Sequence, residues 1–135
     1  MAQPMMTAID TEKLTINLGV IDLGQIDLLV SEGFYSNRTD FIRTAIRNQV
    51  ATHADVVKQT VARRTLVLGL QHFTKADLEA ARDAGQKLDI KVLGLASIAN
   101  DVSPRLAREA IGSLVVLGAL QASPAVKAAI ADRIL

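Results

Sequence analysis

Lys13, Thr15 and Asn17 stand at every second position of the segment KLTINL. An ammonium, a hydroxyl and a carboxamide spaced by two residues make a row of hydrogen-bonding heads on one side of an extended chain. Lys can donate to guanine O6 and N7, Asn can pair bidentately with adenine, and Thr can reach either edge or the thymine methyl. The same three residues also suit the solvent side of an ordinary strand. Catalytic chemistry is thinner. There are two histidines, His53 and His72, and no cysteine, so thiolate chemistry and a disulfide framework are excluded. No His, Cys and acid set has metal-ligand spacing. Ser97, His72 and Asp77 can be assembled on paper into a triad, but any chain of 135 residues yields such triples. Asp77, Glu79 and Asp83 read as the solvated face of a helix. Without a GxGxxG or phosphate loop, nucleotide binding has no support. These residues predict a non-enzyme with no metal and no cofactor.

The elements that would hold the row follow from periodicity. Leu14, Ile16 and Leu18 alternate with it, which marks a half-buried strand. Helical signals come next, so this strand has no hairpin partner. A lone strand cannot satisfy its own backbone groups. The simplest cure is the same strand from a second copy, giving a two-stranded antiparallel ribbon and an obligate dimer. Leu23, Ile26, Leu29 and Val30 are at helical spacing, so a first helix is expected over about 22–30. Gly33 is placed for a left-handed C-terminal cap. Ser36 or Asn37 is the N-cap of a second helix, and Asp40 suits its dipole. Phe41, Ile42, Ala45, Ile46 and Val50 form its apolar stripe. The expected dimer core is Leu14, Ile16, Leu18, Phe41, Ile42 and Ile46, with Phe34 also inside.

KLTINL, the helix leading to SEGFYSNR, and TDFIRTAIR together resemble the CopG-type ribbon-helix-helix regulators over about 40 residues. The sequence departs from that pattern at Gly19, where a proline usually opens the first helix, and at Gly24 within it. The resemblance implies that the ribbon enters the major groove of DNA, with Lys13, Thr15 and Asn17 on base edges. It also implies that the turn before the second helix holds a phosphate. There Ser36, Asn37, Arg38 and Thr39 surround the free amides of the helix start. Nickel-responsive relatives use several His and a Cys, which this chain does not supply.

The net charge is only +1, and residues 1–64 carry seven Lys/Arg against seven Asp/Glu. Bulk charge is therefore not the source of any affinity for DNA; direct base contacts would have to carry it. Half the residues are hydrophobic and 3% aromatic, which suits packed helices and buried strands rather than disorder. Residues 1–11 read as a flexible arm, without the basic start and apolar core of a signal peptide. No run reaches the length of a membrane span. A cytoplasmic, nucleoid-associated place is expected.

From Thr39 to Arg64 there is neither Gly nor Pro. The second helix either runs on as a stalk or breaks near Thr52-His53. After Arg64 an internal repeat begins. Val-Leu-Gly triplets start at 67, 92 and 116, each in a short apolar strand followed by a polar turn, a cap (Thr74, Ser103, Ser123) and an amphipathic helix. Pro104 and Pro124 sit at the first helical position. Strands alternating with helices imply parallel strands with helices against them. Gly69, Gly94 and Gly118 would allow either close packing of strand to helix or approach of a ligand to the backbone.

The fold class is therefore α+β: a ribbon-helix-helix part, then a block of three βα repeats with parallel strands. The expected domains are the arm at 1–11, a DNA-binding and dimerisation domain at 12–50, a helical connector at 51–64 and an oligomerisation or regulatory domain at 65–135. The function expected is a sequence-specific transcriptional regulator, of the repressor kind. Its partners would be double-stranded operator DNA and itself, as a dimer, tetramer or larger, with a small-molecule effector left open. One alternative is an antitoxin that represses its own operon and neutralises a toxin. Another is a structural assembly protein that binds no DNA.

Overall fold

The computed structural model describes residues 11–135. The chain divides into two compact units, one ending at Gln59 and the other running Thr60–Leu135. The arm expected over 1–11 lies, apart from Thr11, outside the described residues.

In the first unit, α1 spans Val20–Ser31 and α2 spans Arg38–Thr52. Helix α1 starts two residues earlier than its spacing predicts and continues through Gly24. It ends as expected at Gly33, whose φ is +86°. The Gly33 amide donates to Val30 O at 3.1 Å and the Phe34 amide to Leu29 O at 3.0 Å. These are the two bonds of a Schellman cap, which needs a residue in the left-handed region at this point. Helix α2 breaks at His53, the shorter of the two expected outcomes, and α3 takes over at Ala54–Arg63.

The second unit is the repeat. Strand β1 spans Val67–Phe73, β2 spans Leu88–Ile98 and β3 spans Ile111–Gln121. Helices α4 (Lys75–Asp83), α5 (Pro104–Ala110) and α6 (Pro124–Ala129) follow them in turn. The strands are parallel, in the order β1-β2-β3. Their register superposes the repeats: Val67 lies beside Val92 and Val92 beside Val116, and likewise Gly69, Gly94 and Gly118. The three caps act as expected. Thr74, Ser103 and Ser123 accept from the amides of Asp77, Leu106 and Val126 at 3.1, 3.1 and 3.2 Å. Each supplies one of the amides that a helix start cannot bond internally.

The helices cover one face of the sheet, α4 packing on α5 and α5 on α6. Ile90, Val92, Ala96 and Ile98 of β2 meet Leu78, Ala81, Leu106, Ala107 and Ala110 in one core, with Ile111, Leu114, Val126 and Ile130. Alanines at the contact let helix and sheet approach closely. Leu78, Ile111, Leu114 and Ile130 are wholly buried, and each contributes about 1.5–3 kcal/mol of transfer free energy. A short 3₁₀ turn, Ala131–Arg133, closes the unit. Arg133 donates to the carbonyls of Arg108 and Ile111, and the Leu135 amide to Leu114 O at 2.8 Å. By the alternation of the strands the opposite face carries Leu68, Leu70, Leu93, Leu95 and Leu117. Leu68, Leu70 and Leu117 are 69%, 68% and 42% exposed, whereas Leu95 is buried.

Candidate nucleic-acid interface

Residues 11–19 carry no regular secondary structure and are exposed throughout. The expected strand is thus not formed within a single chain, for a physical reason already in the sequence: an alternating strand without a neighbour has nothing to bond to. Lys13, Thr15 and Asn17 lie in this exposed stretch, which joins α1 at Gly19. Gly19 occupies the N-cap without a side-chain bond, so α1 begins uncapped where a proline or hydroxyl would have fixed its entry.

The apolar residues of the unit stand in the same light. Leu14, Ile16, Leu18 and Ile46 are 81%, 56%, 40% and 54% exposed, while Phe41 and Ile42 are half-buried. Among the described residues before Gln59, only Ile26 is buried. Phe34, expected inside, is 71% exposed. A patch of this extent on a soluble surface marks a contact site rather than a finished exterior. Tyr35 and Phe41 pack edge to face with centroids 5.0 Å apart, which fixes the turn against α2.

The turn before α2 resolves the choice of cap. Asn37, not Ser36, is the N-cap, and its side chain accepts from the Asp40 amide at 2.8 Å. The Asp40 carboxylate reaches back to the Ser36 amide at 2.9 Å. The amides of Arg38 and Thr39 remain the ones that the helix cannot pair internally. The Arg38 guanidinium forms a two-pronged bond to Asp27 of α1, Nε to Oδ1 at 2.7 Å and Nη2 to Oδ2 at 2.8 Å. This bond lowers the Asp27 carboxyl below its ordinary pKa and raises that of Arg38. Spacing rules could not have found it, because the partners are eleven residues apart on different helices. Arg43 and Arg47 lie exposed on α2.

In the second unit, His72 Nδ1 and Ser97 Oγ lie 2.6 Å apart. Two members of the paper triad therefore meet, as register partners on β1 and β2. The third does not complete a relay. Asp77 Oδ2 accepts from the Thr74 amide at 2.9 Å, and this capping bond is the main cause lowering its pKa. A shallow trough of about 310 Å³ is lined by Arg63, Arg64, Thr65, Leu66, Lys91 and Val115. The described residues contain no group of three or more potential metal ligands, and no helix among them is long and apolar enough to cross a membrane.

Two glycines of the repeat pack differently from the expected strand-to-helix contact. Gly69, Gly94 and Gly118 have φ of +125°, +138° and +121°. A Cβ on Gly94 would overlap the Gly69 carbonyl oxygen, and one on Gly118 the Gly94 carbonyl oxygen. The close approach at Gly94 and Gly118 is therefore strand to strand, not strand to helix.

An exposed alternating segment, two helices and an uncovered apolar stripe make up the module before Gln59. The chain belongs to the Ribbon-Helix-Helix transcriptional regulator family, whose model matches residues 9–127 and so takes in the repeats as well as the module. Comparisons with curated proteins and with solved structures find no match.

Proposed function

We propose that the chain is a sequence-specific DNA-binding repressor of the CopG type, dimeric through residues 12–50. Residues 51–64 connect this part to an assembly domain at 65–135. One observation carries the reading: Leu14, Ile16, Leu18 and Ile46 are all solvent-exposed in the single chain, on the faces that a second copy would cover. Two copies of the segment pair antiparallel across a two-fold axis, satisfying each other's backbone and burying the leucine face. Lys13, Thr15 and Asn17 then project together on the opposite face, a ribbon of the width that the major groove admits. Phosphate is held by the unpaired amides of Arg38 and Thr39, with the hydroxyls of Ser36 and Thr39 beside them. Arg38 contributes chiefly by locking α1 to the start of α2 through Asp27, so that the turn meets the phosphate at a fixed angle. The protein works in the cytoplasm at the nucleoid. With bulk charge near balance, affinity rests on base contacts, and half-sites lie about one helical turn apart where dimers sit side by side.

The test is fluorescence anisotropy with the DNA upstream of the gene, against a scrambled competitor. Lys13→Ala and Asn17→Ala should each weaken specific binding by about 1–3 kcal/mol per lost base contact, with an unchanged circular dichroism spectrum. Wild-type affinity in both variants would refute the ribbon assignment.

A further inference from the structure

The glycine stack is unfinished at one end. The side of Gly94 where a Cβ would stand is filled by the carbonyl of Gly69, and that of Gly118 by the carbonyl of Gly94. Gly69 has the same left-handed backbone, φ +125°, yet a Cβ there would meet nothing within 4 Å. No contact with a described residue requires glycine at this outer strand; only its own left-handed backbone does. A steric requirement like that of Gly94 and Gly118 arises if another strand lies against β1 as β1 lies against β2.

The other end of the sheet offers that strand. Beyond a single bridge from Leu114 to Ile134, no described residue pairs with the outer edge of β3. The stretch Val116–Leu120 bears Val, Leu and Gly in the register in which β1 bears Val67, Leu68 and Gly69. Natural sheet edges are usually blunted by proline, charge or a cover. Neither β1 (VLGLQHF) nor this part of β3 (VLGAL) contains a proline, lysine or acid. A repeat array also needs polar caps at its ends to stay solitary, and these edges are apolar.

From these observations we infer that the repeats of separate chains join head to tail. The β3 edge of one copy pairs in parallel with β1 of the next, Val116 opposite Val67, Leu117 opposite Leu68 and Gly118 opposite Gly69. The Gly118 carbonyl of one copy fills the space beside Gly69 of its neighbour. The contact repeats an interface that the chain already makes twice within itself. It is heterologous, so it closes into a ring or extends as a filament according to the rotation between copies. It rests on the assembly role proposed above for residues 65–135 and names the surface and the occupant. Antiparallel pairing of two β1 edges would leave the glycine of β1 unexplained.

The chain is free of cysteine, so disulfide trapping of the full-length protein is unambiguous. Leu68→Cys and Leu117→Cys both fall on the face opposite the helices, away from the core. Within one chain the two positions are two strands apart, about 9.5 Å, beyond the span of a disulfide. On mild oxidation the double variant should give covalent dimers or a longer ladder, with neither single variant cross-linking. Dimers from Leu68→Cys alone would show two β1 edges meeting and overturn the inference. So would the absence of any cross-link in the double variant. Operator binding by the same samples, read by anisotropy, separates the two failures: DNA bound without cross-links rejects the array and leaves the DNA-reading function standing.

Discussion

Thr65 is the one non-glycine residue with positive φ among the described residues, at +53°. It closes α3: its amide donates to Ala62 O at 3.3 Å and the Leu66 amide to Val61 O at 3.0 Å. That is the bonding pattern of the Gly33 cap, made by a β-branched side chain that clashes with its own backbone in this region. The strain is worth about 1–3 kcal/mol, and glycine would relieve it at the cost of a more flexible unfolded chain. Thr65→Gly should therefore stabilise the protein by about 1 kcal/mol, seen as a raised thermal midpoint. A lowered midpoint would mean that the threonine hydroxyl or its packing outweighs the strain. No local pattern in the sequence announces this residue, because threonine in a left-handed cap is rare and carries no signature of its own.

At the scale of elements, the glycine stack makes a graded prediction. Gly118→Ala forces a methyl into the Gly94 carbonyl, which β2 cannot withdraw without losing its register with both neighbours. Gly69→Ala pays only for the left-handed backbone. The first substitution should be more destabilising than the second by at least about 1–3 kcal/mol, the usual cost of overpacking. Thermal unfolding at protein dilutions too low for assembly is the measurement, and equal losses would refute the steric account. Much of this architecture is legible in the sequence. Caps such as Thr74, Ser103 and Ser123 act within three residues of themselves, and the spacing of the Val-Leu-Gly triplets gives the parallel register directly. The reason for the glycines is not legible, since their neighbours lie 24 or 25 residues away and the left-handed φ leaves no mark beyond the residue type. The ribbon is legible only as a need. Alternation shows that residues 13–18 want a partner, and the single chain leaves that want unmet. The row of Lys13, Thr15 and Asn17, proposed to read DNA, follows from alternation alone, whereas the Arg38–Asp27 lock depends on how two helices meet and could not be read.

At the scale of the molecule, the proposed division of work between the two units can be tested by damaging one alone. Among the described residues before Gln59 only Ile26 is buried, whereas the repeat holds a continuous core. Stability of the first should therefore depend on a second copy, and stability of the repeat should not. Ile16→Lys tests this. In a two-fold ribbon every substitution occurs twice, so two ammonium groups would enter one apolar seam, each costly to desolvate without a partner. Operator binding should vanish, and the helical signal should fall only by the part that α1 and α2 contribute. Cross-linking between Leu68→Cys and Leu117→Cys, placed in the same chain, should persist, since it joins repeats rather than ribbons. Lys13→Ala, three residues away on the opposite face, should weaken DNA binding and leave the dimer intact. The pair of variants thus distinguishes a residue that reads DNA from one that holds the reader together. If Ile16→Lys binds the operator as the wild type does, the leucine face is not the dimer seam, and the exposed stripe of Leu14, Ile16 and Leu18 must serve another contact.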